Sequence, residues 1–166
     1  MKKILSPIKA WQLNERHYGA LTGLNKVEIG IKLGEEKVYQ LRRSWDLRPD
    51  PLDKNSEYHP SNIEIYKDVP SNCIPDTESL MDTFTRVKNY YEIEVKNKLS
   101  NGNVLISAHG NSIRALCKYL FKIDEIQIAN LEIPTGNPLL INIDENHKIK
   151  SCKYLDQNRA RDLVVF

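Results

Sequence analysis

The stretch from Asn103 to Leu120 constrains the fold more than any other part of the chain. Asn101-Gly102 is a turn signal, and Asn103-Val104-Leu105-Ile106-Ser107 behind it is a short apolar run that predicts a buried strand. Ala108-His109-Gly110-Asn111 then forms a polar loop. From Ser112 to Leu120, the residues Ile113, Leu116, Cys117 and Leu120 recur at helical spacing. Strand, glycine-containing loop and helix make the unit from which α/β folds are assembled. It carries loop side chains and the first free helix amides to the carboxyl end of a strand, where open α/β sheets bind ligands. His109 is a candidate functional residue on this ground, because its loop has little structural need for an imidazole.

Other segments fit an α/β chain. Leu80, Phe84, Val87, Tyr91, Val95 and Leu99 recur every three or four residues, which predicts a helix from about Glu78 to Leu99 with Asp76 or Thr77 as its cap. Asn25-Lys26-Val27-Glu28 reads as a capping box, with a helix following and resuming after Gly34 through Val38, Leu41 and Trp45. Leu139–Ile143 and Ile149–Tyr154 read as a β-hairpin around Asp144-Glu145-Asn146-His147. Residues 46–75 hold Pro49, Pro51, Pro60, Pro70 and Pro75 without periodicity, which predicts a long irregular loop.

A chain of 166 residues is expected to be one domain, spanning 1–166. With 40% hydrophobic and 28% charged residues it has enough apolar surface to fold, and no apolar run approaches a membrane span. Met1–Leu5 resembles the start of an export signal, but Ser6, Pro7 and Lys9 interrupt it. The three cysteines, Cys73, Cys117 and Cys152, are odd in number and lack C-x-x-C spacing, which argues against a disulfide framework or a zinc knuckle. A cytoplasmic location is expected. A net charge of +2 is too small to imply nucleic acid.

Leu13-Asn14-Glu15-Arg16-His17-Tyr18-Gly19 packs an acid, a guanidinium, an imidazole and a phenol into four consecutive positions. Lys26 and Arg42-Arg43 add cations. Arginines and a lysine can hold phosphate or carboxylate oxygens, and a glutamate among them can act as general acid or base. Taken with His109, these residues suggest phosphoryl chemistry on a small polyanion. Singly, each has an ordinary reading: Arg42-Arg43 as a solvated helix face, Lys26 as a surface lysine, Glu15 as a salt-bridged carboxylate. His59 and His147 read as turn residues and Cys117 as helix core.

The combination resembles the cofactor-dependent phosphoglycerate mutases of the histidine phosphatase superfamily. The likeness runs from Trp11 through Leu155. It rests on Trp11-Gln12-Leu13-Asn14-Glu15-Arg16-His17-Tyr18-Gly19, Gly23-Leu24-Asn25-Lys26, Arg42-Arg43-Ser44, Ser107-Ala108-His109-Gly110-Asn111-Ser112 and Ile133-Pro134-Thr135-Gly136. The resemblance implies a three-layer α/β/α fold with a mostly parallel sheet, and interconversion of 2-phosphoglycerate and 3-phosphoglycerate in glycolysis and gluconeogenesis. It implies a phosphohistidine primed by 2,3-bisphosphoglycerate, and no metal. Carried over by motif, Glu15 becomes the proton donor and acceptor and His109 the stabiliser of the transferring phosphoryl group. Arg16, His17, Tyr18, Lys26, Arg42, Arg43, Gly110 and Asn111 become the substrate-binding set.

One departure stands out. The family's nucleophilic histidine lies in an Arg-His-Gly motif on a first, central strand, and these residues contain no Arg-His-Gly. The expectation is a chain that begins after that segment, lacks the central strand, and is inactive or poorly stable alone. The expected partners are phosphoglycerates, a second copy of the chain, or a complementing N-terminal fragment, with no nucleic acid and no membrane. An inactive remnant that binds anions or pairs with a complete relative is the alternative reading. A phosphatase of the same superfamily is a third.

Overall fold

One side-chain cap and one glycine decide where the first two helices start. In this computed structural model, which describes residues 7–159, the Asn25 side chain accepts from the Val27 amide at 2.9 Å and α1 runs Lys26–Leu33. Met1–Leu5 lies outside the described residues. Gly34, at φ +82°, ends α1 and opens α2, Glu35–Arg43. The second helix stops short of Trp45, which turns into the core against Phe84.

The proline-rich segment is irregular as expected, broken only by single 3-10 turns at Pro60–Asn62, Glu64–Tyr66 and Ser71–Cys73. His59 anchors it. Its ring is buried, with Nδ1 2.6 Å from the Ser61 hydroxyl and Nε2 3.1 Å from Asp76 Oδ1.

The long amphipathic segment forms α3 (Leu80–Tyr90), a π-helical turn (Tyr91–Val95) and α4 (Lys96–Leu99) in unbroken succession. Its start differs from the expected one. Ser79 is the cap, in a capping box with Asp82, while the Thr77 hydroxyl donates to the Pro49 carbonyl at 2.8 Å. Asp76 faces His59 instead. Then come α5, Gly110–Phe121, and the short α6, Glu125–Asn130, capped by Asp124. The β-hairpin has its expected bounds, β1 at Leu139–Ile143 and β2 at Ile149–Tyr154. The strands are antiparallel with Leu139 opposite Tyr154 and an irregularity at Asn142/Ile143.

Asn103–Ser107 is not the buried strand that its composition predicts. Among the described residues it enters no ladder, and the sheet is two-stranded and antiparallel rather than mostly parallel. Val104 and Ile106 pack against the core while Leu105 is 87% exposed. That alternation is the period of a strand, but a strand exists only where another backbone accepts its hydrogen bonds.

The core lies where α3 meets α5. Leu80, Val87, Tyr91 and Val95 from one side pack with Ala115, Leu116 and Cys117 from the other, and Ile128 and Leu131 close one end. Edge-on ring contacts link Trp45, Phe84, Tyr119 and Tyr91. Removing a fully buried side chain such as Leu80 costs roughly 2–5 kcal/mol in cores of this kind. The α3–α5 contact therefore holds the two helices together, and the candidate site is built against residues of both.

Candidate active site

Residues 14–18 have no regular secondary structure after the 3-10 turn at Trp11–Leu13, so the carbonyls of this stretch need side-chain donors. Two residues supply them. Arg86 on α3 donates Nη1 to the carbonyls of Gln12 (2.7 Å) and Asn14 (3.0 Å) and Nη2 to that of Glu15 (3.1 Å). The Ser112 hydroxyl on α5 stands 2.9 Å from the Leu13 carbonyl and 2.6 Å from that of Asn14. Glu78, ahead of α3, accepts the His17 amide on its carboxylate at 2.9 Å and returns its own amide to the His17 carbonyl at 2.8 Å. The segment carrying Glu15 is thus tied to both helices.

Gly19 ends the segment in a left-handed conformation, φ +55°. A Cβ there would meet the Asp50 carbonyl at 2.1 Å and the Thr77 hydroxyl at 2.7 Å. Only glycine lets the proline-rich loop close this tightly, with the Ala20 amide donating to Asp50 at 2.8 Å.

The Glu15 carboxylate accepts from two nitrogens. Oε1 takes the Arg16 amide and the Asn111 side-chain Nδ2, each at 2.7 Å. The same Nδ2 lies 2.8 Å from the Tyr18 hydroxyl. The guanidinium carbons of Arg16 and Arg42 stand 5.1 and 5.5 Å from the Tyr18 ring centre, placing two cations on the phenol.

Arg16 is buried, and its donors are spent on the carbonyls of Glu78, Arg42, Leu41 and Leu47. Burial pushes its pKa down, with Tyr18, Glu78 and Glu15 opposing, and a guanidinium stays protonated regardless. Arg43 ion-pairs with Glu132. Arg42 and Arg43 also line, with Val27, Ile31, Val38 and Tyr39, a cleft of about 560 Å³ between α1 and α2. Lys26 opens α1, and its side chain lies outside the described part of the structure.

His109 is the cap residue of α5 and is exposed, and no side chain caps that helix. A Cβ on Gly110 would meet nothing within 4 Å, so the space beside Gly110 at the start of α5 is open. Uncapped amides at the start of a twelve-residue helix favour an anion.

The structure therefore brings Glu15, Arg16, Tyr18, Arg42 and Asn111 into one contact group, with His109 and Gly110 leading directly into it. His17 points elsewhere. Its Nδ1 accepts from the Gly19 amide at 3.1 Å, its ring lies 6.1 Å from that of His59, and its buried Nε2 has no partner among the described residues. Burial, opposed by Glu78, keeps its pKa below the usual histidine value. Sequence reasoning missed Arg86 and Arg114. Arg86 reaches the site across more than 70 residues, for which local patterning carries no signal, whereas Arg114 acts on Asn111 only three residues before it on α5. Among the described residues no group of histidine, cysteine or carboxylate side chains is arranged to hold a metal.

Residues 50–153 match the family model of the histidine phosphatase superfamily (branch 1), and the chain belongs to that superfamily. Its relatives narrow the placement. It is 66% identical over 161 residues to a protein of Pelagibacter ubique (strain HTCC1062) named 2,3-bisphosphoglycerate-dependent phosphoglycerate mutase, covering 96% of this chain and 68% of the relative. Proteins of the same name from Maricaulis maris (strain MCS10) and Hyphomonas neptunium (strain ATCC 15444) are each 48% identical. They cover 93% and 98% of this chain and 65% and 68% of their own lengths. The chain is a member of the phosphoglycerate mutase family, an enzyme family, and spans about two thirds of the length of these relatives.

Proposed function

We propose that residues 1–166 carry the acid–base and anion-holding half of a phosphoglycerate mutase site that interconverts 2-phosphoglycerate and 3-phosphoglycerate in the cytoplasm. The observation that carries this reading is the contact group itself. Glu15 is oriented by Asn111 and the Arg16 amide beside Tyr18 and Arg42, at the mouth of the uncapped α5. A carboxylate held this way can take the proton of a substrate hydroxyl as that oxygen is phosphorylated and return it when the phosphoryl group leaves.

The residues present fit a bisphosphorylated polyanion. Among the described residues Arg42 has no carboxylate in salt-bridge range, and the space beside Gly110 at the start of α5 is open. Lys26, Arg42, Arg43, Tyr18, Gly110 and Asn111 would hold phosphate and carboxylate oxygens. His109 would stand against the transferring group. When bound, 2,3-bisphosphoglycerate supplies the priming phosphoryl group. Arg16 and His17 serve from behind: Arg16 adds charge and binds carbonyls, and His17 sets the turn at Gly19.

The nucleophilic histidine of this chemistry is not among these residues, which contain no Arg-His-Gly. The same reading makes 1–166 one mutase-like domain. In it Asn103–Ser107 becomes an inner strand of a mostly parallel, three-layer sheet once a further segment pairs with it. The test is turnover of 3-phosphoglycerate with 2,3-bisphosphoglycerate. The 166-residue chain is assayed alone and with a polypeptide carrying the Arg-His-Gly segment of a relative. Turnover only in the second case is expected, with Glu15→Gln lowering kcat by about 10²–10⁴. Full turnover by the chain alone overturns the external nucleophile, and none in either case overturns the mutase reading.

A further inference from the structure

Arg16 and Arg114 are both buried guanidiniums near the site with no ion pair among the described residues, and of the two only Arg114 leaves a donor unpaired. It sits on α5, 4% exposed, with no carboxylate in salt-bridge range among the described residues and its Nε without a partner. Arg16, by comparison, spends Nε and both terminal nitrogens on carbonyls. Burial of an unpaired cation is unfavourable, and such sites persist where the charge or its geometry is used.

Its two donating arms show the use. Nη2 donates to the Ile128 carbonyl on α6, and Nη1 donates to Asn111 Oδ1 at 2.8 Å. An amide whose oxygen is held by a cation must present its NH₂ on the other side. That NH₂ is the group 2.7 Å from Glu15 Oε1 and 2.8 Å from the Tyr18 hydroxyl. The bond also polarises the amide, which strengthens its N–H donors. Without Arg114, the Asn111 side chain can flip and turn its oxygen toward the carboxylate, a repulsive contact.

We infer that Arg114 is a positioning residue for the proposed acid–base step, acting through Asn111 to orient the Glu15 carboxylate. This rests on the mutase reading for the step itself but not for the geometry. The charged and titratable groups around the relay are Arg43 from α2, Glu132 after α6, and Arg16 and Tyr18 from the segment that carries Glu15. A neutral structural role would only fasten α5 to α6 through Ile128. The Asn111 bond separates the two.

The experiment reads the Asn111 side-chain amide by ¹H–¹⁵N NMR in the 166-residue chain, for wild type, Arg114→Lys and Arg114→Met, alongside thermal melts. The wild-type amide is expected at a shifted, slowly exchanging position. Arg114→Met is expected to move it to the position of an unbonded amide. Arg114→Lys is expected to give an intermediate shift, because one ammonium cannot span Asn111 and Ile128 together. An unchanged Asn111 signal in either folded variant overturns the inference. Loss of the native fold in both overturns it too, since Arg114 is then a folding residue. In the assay that supplies the Arg-His-Gly segment, kcat is expected to fall by about tenfold to a hundredfold with KM little changed. Absent turnover in wild type defeats the functional reading and leaves the NMR series to decide the relay.

Discussion

Arg86 grips the Glu78 carboxylate with both arms of its guanidinium, Nε to Oε1 at 2.7 Å and Nη2 to Oε2 at 2.9 Å, eight residues apart in sequence. The pair is largely withdrawn from solvent, with side-chain exposures of 13% and 5%, and the same guanidinium binds three carbonyls of the Glu15 segment. Arg86→Met would leave a buried carboxylate uncompensated and those carbonyls without donors. A loss of about 3–5 kcal/mol is expected in urea denaturation. A loss under 1 kcal/mol would show that the segment is held by other means.

Asp82 joins a helix cap to a surface ion pair. Burial works against its charge, but the Arg48 fork, at 2.6 Å on both oxygens, and the Ser79 N–H and O–H outweigh it, holding its pKa at about 2. A carboxyl depressed in the folded state contributes stability that is complete above its unfolded pKa. That contribution is lost as pH falls through the folded one, here between about pH 4 and pH 2. Asp82→Asn is expected to cost about 1–2 kcal/mol at pH 7 and to remove that part of the acid dependence. Parallel stability curves for wild type and variant across the window would contradict it.

Leu105 presents a large apolar side chain to solvent, 87% exposed, on a segment that no described strand pairs. Unpaired backbone beside apolar surface promotes association. Sedimentation velocity of the 166-residue chain should show concentration-dependent oligomers, and Leu105→Lys should shift the distribution toward monomer. A monodisperse wild-type monomer with a sharp, cooperative melt would argue against this.

Cys117 faces the α3–α5 core, where burial, with Cys152 adding to it, pushes its thiol up to about 12. It should therefore react with a thiol reagent at pH 8 only as fast as the chain unfolds, while the half-buried Cys73 reacts readily. Labelling of Cys117 at the Cys73 rate would show that the core opens locally.

Much was legible in local chemistry. The apolar spacing of Leu80, Val87, Tyr91 and Val95 marks the buried face of α3 and the π-helical turn, and Leu139–Ile143 and Ile149–Tyr154 pair as their alternation predicts. Helical periodicity and hairpin turns are properties of neighbours in sequence. The residue types of the contact group, Glu15, Tyr18, Arg42 and Asn111, were legible for the same reason: their motifs are contiguous. The cap of α3 was misplaced because Asp76, Thr77 and Ser79 are all competent caps, and tertiary contacts occupy two of them, Asp76 with His59 and Thr77 with Pro49.

The sequence by itself determined α1, α2, α3 and α5, the hairpin, the family and the chemical types at the site, while α6 lies outside the predicted elements. Only the tertiary structure decided what each polar group does there. Arg16 and His17 look like ligand holders beside Glu15, yet they spend their polar atoms on the Leu41 and Leu47 carbonyls and the Gly19 amide. Arg86 and Arg114 are not among the expected site residues, yet one ties down the Glu15 segment and the other holds Asn111. The physical reason is that a buried donor or acceptor must find a partner, and the nearest partner in space can be tens of residues away along the chain. The unpaired Asn103–Ser107 shows the same rule: its composition prescribes a strand, but only a neighbouring backbone makes one.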